Sequence, residues 1–220
     1  MAEWYKVFIS STSDDLRDER DKVMRVLLKI NCVPLGMENF PSTGESQWDI
    51  IKRDIRSADY VIFILAGRYG TVNKSGIGGL QYKGLSYTEM EYEYAVSQDK
   101  TVIPFFYKDI KNLPASKCES SQFNADKLKK LRMMIEKEKE VQYWNNTDEL
   151  CTSIATSLYH SIHVSPKPGL ISSPDLLLLQ EEKDELVIKC QMLERRLARQ
   201  RGEYNRLMKE LEDLYNSKIL

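Results

Sequence analysis

Long apolar runs are missing from this 220-residue chain. The longest, Tyr60 to Ala66, is the length of a strand and well short of the ~18 residues a membrane-crossing helix needs. Cysteine and histidine are scarce. Cys32, Cys118, Cys151 and Cys190 stand far apart with no Cys-x-x-Cys pair, and His160 and His163 are the only histidines. No zinc-ligand spacing can be drawn from them, so no metal site is expected and the thiols are expected to be free, as in a reducing cytosol. An excess of one charge is lacking too. The 32 basic and 33 acidic residues leave a net charge of −1, which argues against a general nucleic-acid binder. Met1-Ala2-Glu3-Trp4 does not begin the basic-then-apolar pattern of a secretory leader, so a cytoplasmic location without membrane attachment is expected.

What is present alternates. Residues 5–9 read as a buried strand, and Leu16, Val23, Val26, Leu27 and Ile30 recur at helical spacing over 14–30. The run Ser10-Ser11-Thr12-Ser13-Asp14 between them is rich in helix N-cap types. A short strand at 33–35, a helix at 46–57 with Trp48, Ile51 and Ile55 on one face, and a strand at 59–66 follow. The last is apolar throughout, as expected where both faces of a parallel sheet are covered. Beyond a glycine-rich loop the pattern predicts a helix at 86–98, a strand at 101–106, a helix at about 124–138, a strand at 141–144 and a helix at 147–163. This predicts a flavodoxin-like, doubly wound α/β domain over residues 1–163, with a parallel sheet of about five strands.

Residues 164–175 contain Pro166, Pro168, Gly169 and Pro174 and read as a linker. From there to residue 220 a heptad register holds. Leu179, Leu186, Leu193, Gln200, Leu207 and Leu214 stand seven apart, and Leu176, Leu197 and Leu211 add to the second seam position. This pattern predicts a coiled coil through which the chain forms a homo-oligomer.

In an open parallel sheet, ligands bind beyond the carboxyl ends of the strands, where the strand order reverses. The two loops leaving that point here are distinctive. Hydroxyls and backbone N–H groups of Ser10, Ser11 and Thr12 suit a phosphate or a ribose, with capping of the next helix as the plainer reading. The second loop, Ala66-Gly67-Arg68-Tyr69-Gly70, opens a stretch to Gly84 that holds six of the ten glycines. Arg68 could pair with phosphate there or with a carboxylate. On the following helix Glu89 and Glu93 share a face, while Glu91 points away from both, nearer Tyr87, Thr88 and Tyr94. The helix dipole accounts for an acid such as Glu89 in the first turn but not for Glu91. A carboxylate among aromatics could stabilise an oxocarbenium ion or bind ribose hydroxyls. Tyr5, Tyr69 and Trp48 could stack on a base, with core or rim packing as the plainer reading of each; Tyr87 is a further substrate-contact candidate, and Glu38 and Asp49 are weaker acidic ones whose plainer reading is structural.

At these residues a resemblance emerges. Residues 7–20, Gly36-Met37-Glu38-Asn39-Phe40-Pro41, 66–70 and 85–95 resemble a domain of unknown function found at the N-terminus of some bacterial defence proteins and some animal NACHT or WD-repeat proteins. That family is TIR-like and related to nucleoside 2-deoxyribosyltransferases. The resemblance implies cleavage of an N-glycosidic bond, with NAD or a related small nucleotide as substrate and no separate cofactor. It implies Glu91 as the catalytic carboxylate, with Glu89 second. It also implies switching by assembly. The alternative it leaves open is a non-catalytic TIR-like adaptor or nucleotide sensor.

Overall fold

The computed structural model describes residues 4–36 and 46–170, together with positions 183, 185–187, 189–190, 192–194, 196–202, 204, 206 and 208–209. Five strands, β1 (Tyr5–Ser11), β2 (Cys32–Leu35), β3 (Tyr60–Leu65), β4 (Thr101–Tyr107) and β5 (Gln142–Trp144), form one sheet in the order β2-β1-β3-β4-β5. Every pairing is parallel. The strands alternate with α1 (Arg17–Lys29), α2 (Gln47–Ser57), α3 (Tyr87–Ser97), α4 (Gln122–Glu138) and α5 (Thr147–Val164). This is the flavodoxin-like architecture, and its strand order reverses between β1 and β3.

The two-residue period of a strand sorts the core. Tyr60, Ile62 and Ile64 of β3 pack with Val23 and Leu27 of α1 and Leu150, Ile154 and Leu158 of α5. Val61, Phe63 and Leu65 pack on the other face with Ile51 and Ile55 of α2, Met90 and Ala95 of α3, and Leu128, Leu131 and Ile135 of α4. Every residue of β3 is therefore buried. At about 1.5–3 kcal/mol for each fully buried large apolar side chain, this central strand contributes much of the burial free energy.

β1 obeys the same period, but its last two side chains are polar. Val7 and Ile9 lie in the core shared by α1 and α5, and Phe8 in the other. Ser10 and Ser11 continue the strand, opposite Phe63 and Ile64. They stand on opposite faces, Ser10 toward α3 and Ser11 toward α1.

The expected helix over 14–30 is shorter. It begins at Arg17, and its N-cap, Leu16, makes no side-chain capping bond. Ser10 and Ser11 are instead held in the sheet, and no side chain of the hydroxyl run caps α1. Elsewhere caps form as their residue types dictate. Ser46 accepts from the Asp49 N–H and Ser86 from the Glu89 N–H.

The chain divides into two compact units, Met1–Leu170 and Ile171–Leu220. The first part of the expected linker is tied into the first unit, because Leu170 pairs with Trp4 in an isolated antiparallel bridge. In the second unit the described positions are helical, and the seam residues Leu186, Leu193 and Leu197 are exposed. Leu176, Leu179, Leu207, Leu211 and Leu214 lie outside the described residues. No helix among the described residues is long and apolar enough to cross a membrane.

Candidate functional site

At the carboxyl ends of β1 and β3 lies a cleft of about 350 Å³. Ser11 and Thr12 at the end of β1, Arg68 and Gly70 after β3, and Tyr87 and Glu91 on α3 all line it. The sequence-expected residues Ser11, Thr12, Arg68, Tyr87 and Glu91 are thus brought together, and Ser10 lies directly behind Glu91.

Ser10 and Glu91 are joined by a short hydrogen bond: the Ser10 hydroxyl donates to Glu91 Oε2 at 2.5 Å, with both residues buried. The pleat directs Ser10 to this face, and the helical turn carries Glu91 to the same place. On the opposite face the Arg20 guanidinium, itself buried, donates to Ser11 Oγ at 2.7 Å and to the Ile9 carbonyl at 3.3 Å. The end of β1 is therefore clamped from both sides, by a carboxylate above and a guanidinium below.

Past the strand the loop turns polar and buried. Thr12 is 6% exposed and Asp15 4%, and the Thr12 hydroxyl and the Asp15 N–H approach the Asp15 carboxylate without forming a well-aligned hydrogen bond. Burial pushes the Asp15 carboxyl above its usual range, against the opposing pull of the Thr12 hydroxyl, its own backbone N–H, Arg68 and Lys117. Lys117 is bonded to Glu19 at 2.7 Å. Asp15 and the neighbouring Asp14 also line the cleft.

The glycine-rich loop is held by its neighbours rather than left loose. One oxygen of Glu119, in the loop after β4, accepts from the N–H groups of Tyr69 at 2.8 Å and Gly70 at 3.3 Å. Gly70 has φ +95°, and a Cβ there would come within 3.0 Å of the Thr12 methyl. The position thus requires glycine both for its backbone and for the close approach of the two loops. Gly67 is needed for space alone, since a Cβ would meet the Lys117 carbonyl at 2.3 Å. Arg68 donates to the Ser116 carbonyl at 2.8 Å and stands 3.9 Å from Asp14, an exposed pairing of small worth.

Trp48, Tyr69 and Glu89, with the further candidates Tyr5 and Asp49, lie off the cleft wall. Trp48 is buried in the core, edge-on to Tyr82 and Tyr94. Tyr69 is also buried. Its hydroxyl donates to Glu89 and accepts from the Ser86 N–H at 3.2 Å. Burial, with the Glu89 carboxylate, raises the Tyr69 pKa strongly. Glu89 is thereby taken up in fixing the start of α3. The reason is geometric: at 100° per residue Glu89 and Glu91 point 200° apart, so only one can face the cleft. Tyr5 packs edge-on to Tyr60, and Asp49 is bonded to Ser46 and Lys52. Lys52 holds the Asp49 carboxyl below its usual range. Glu38 lies outside the described residues.

Sequence reasoning missed Asp15 and Glu119. Asp15 sits among cap-type residues and reads as part of a helix start. Glu119 lies in a polar stretch with no periodic signal. Among the described residues, no group of three or more His, Cys, Asp or Glu is placed to hold a metal ion.

A family model described as a domain of unknown function (DUF4062) matches residues 6–159. Among solved structures, the chain is similar to a CMP N-glycosidase, BcmB, of Clostridium botulinum: 13% identity, TM-score 0.42, covering 70% of this chain and 98% of that one. It is similar to the TIR domains of the activated Roq1 resistosome at 16% identity and a TM-score of 0.46, over 72% of this chain and 99% of that one. A prokaryotic SEFIR domain matches at 17% identity and a TM-score of 0.35, over 60% and 96%. No curated protein matches the chain.

Proposed function

The chain belongs to the DUF4062 family, a domain of unknown function, and from that premise we propose that the cleft is the active site of an N-glycosidase that hydrolyses NAD or a related nucleotide. The observation that carries this reading is Glu91, a carboxylate buried in the cleft wall and fixed by the Ser10 hydroxyl. Breaking the bond between ribose C1′ and a base passes through an oxocarbenium-like state with positive charge on the sugar. A carboxylate already oriented by a hydrogen bond stabilises that charge without reorganising at the moment of reaction. The C1′–N electron pair leaves with nicotinamide, water supplies its oxygen to C1′, and the water's proton passes to solvent, giving nicotinamide and ADP-ribose. Ser11 and Thr12 shape the wall beside the sugar. The cleft volume lies near the lower end of the roughly 300–1,000 Å³ typical of small-molecule sites, which suits a ribose and one base.

The test is to incubate the purified chain with NAD and a nucleoside panel and follow products by chromatography. Glu91→Gln keeps the shape and removes the charge; it is expected to lower the rate by about two to three orders of magnitude. Full activity in Glu91→Gln, or an inert wild type in its assembled form, sinks the proposal.

Assembly belongs to the same reading. The exposed Leu186, Leu193 and Leu197 of the second unit keep the heptad register, and we propose that they pair copies of the chain in a coiled coil. Leu193→Glu is expected to sediment as a monomer where the wild type sediments as an oligomer. An unchanged sedimentation coefficient overturns the pairing.

A further inference from the structure

We infer that the outer part of the cleft reads the base of its ligand: Gln47 and Asn124 hydrogen-bond an edge that carries both a donor and an acceptor, such as a carboxamide, and Tyr87 covers the ring. The inference rests on the N-glycosidase reading for the placement of the sugar beside Glu91. It adds the residues that recognise what the sugar carries.

Their placement follows from the fold. Gln47 is the first residue of α2, Tyr87 is the first of α3, and Asn124 stands in the first turn of α4. All three line the cleft. These helices follow β2, β3 and β4, so each starts beyond the carboxyl end of a strand and their first turns share the outer level of the site. Glu91 stands one turn further along α3. Tyr87 and Glu91 are therefore i and i+4, on one helix face and about 5–6 Å apart. That offset is comparable to the one between a ribose and the ring bonded to its C1′. A sugar held at Glu91 thus directs its base outward along α3, to Tyr87 and the two amides.

A second observation is what these amides do inside the protein. Other amides nearby are spent on their own chain. Asn73 donates to the Ile77 and Tyr82 carbonyls and accepts from the Gly76 and Ile77 N–H groups. Gln122, two residues before Asn124, donates to Asp126 at 2.9 Å. The Gln47 and Asn124 side chains make no hydrogen bond to a described residue, and neither is buried. A side-chain amide offers two donors and an acceptor, and it turns to suit its partner. It pairs fully with an edge that has one of each and only in part with an edge of acceptors alone. The cleft is thus matched to a base with an amide-like edge.

An isosteric pair of dinucleotides isolates the donor. NAD carries a carboxamide on its ring, and its 3-acetylpyridine analogue carries a neutral acetyl group of the same shape that accepts but does not donate. Calorimetry on the full chain carrying Glu91→Gln measures binding of both without turnover. NAD is expected to bind about fivefold tighter, the worth of one neutral hydrogen bond. Gln47→Leu and Asn124→Leu are expected each to narrow that ratio and together to bring it to one. Tyr87→Leu is expected to weaken both dinucleotides alike and leave the ratio unchanged. The single variants are measured beside the double one, so that a poorly folded protein does not decide the result. Equal binding of the two dinucleotides, or a ratio that survives in the double variant, overturns the inference; cleavage of NAD by the wild-type chain then still supports hydrolysis. A carboxamide preference that depends on Gln47 and Asn124, with no cleavage of NAD by the wild type, overturns hydrolysis and leaves the recognition standing.

Discussion

β1 and β3 are hydrogen-bonded neighbours in one sheet, yet they end differently. β3 is apolar to its last residue and continues into Ala66, with every side chain buried in one core or the other. β1 is apolar only through Ile9 and then places Ser10 and Ser11 where β3 has Phe63 and Ile64. The pleat is identical in the two strands. What differs is what each face finds there, hydrocarbon along β3 and a carboxylate and a guanidinium at the end of β1. One strand is apolar throughout, and its neighbour gives two core positions to polar pairings beside the cleft.

Three substitutions test that contrast. The largest effect is expected at the core end of it. Phe63→Ala removes a ring that packs beside Tyr92 at 5.1 Å and is expected to destabilise the first unit by about 3–5 kcal/mol. Urea denaturation would measure this, and a loss under about 1 kcal/mol would mean β3 is not the centre of the core. At the site end, Ser10→Ala leaves Glu91 without its hydroxyl donor and is expected to lower glycosidase activity by about ten- to a hundredfold, the worth of a hydrogen bond to a charged group. Unaltered activity would show that Ser10 does not position the carboxylate.

The smallest effect has the opposite sign. Asp15 has a raised pKa in the folded protein because burial disfavours its charge. A raised carboxylate binds its proton more tightly when folded, so stability falls as pH rises above the ordinary aspartate range. Asp15→Asn removes that loss and is expected to raise Tm at pH 7 by about 2–4 °C per kcal/mol recovered. The gain should shrink toward zero when the melt is repeated near pH 3, where the wild-type carboxyl is already protonated in both states. A lower Tm at pH 7 would place Asp15 with the stabilising core rather than with the site.

Much of this molecule was legible in advance, and the legible parts share a cause. The continuous apolar run at 60–66 and the helical spacing at 46–57 are local signals, read within one strand or a few turns. The turn of Glu91 away from Glu89 was legible for the same reason, because helical geometry alone separates them. The misreadings also share a cause. The hydroxyl run at 10–13 looks like a helix cap because cap chemistry and site chemistry use the same residue types. Trp48 and Tyr69 left both readings open, core packing being the plainer, because an aromatic's partner is not written beside it; both are buried. Asp15 and Glu119 carry no periodic mark at all.

By itself, then, the order of residues determined the alternation of strands and helices and the all-buried central strand. These follow from periods of 2 and 3.6 residues acting over short stretches. Only the tertiary structure decided that Ser10 meets Glu91 across 81 residues of sequence, that Glu119 ties down the loop after β3, and that Asp15 is buried. Those pairings depend on which strand ends lie side by side. That is settled by the crossover order of the whole sheet, and no local pattern encodes it.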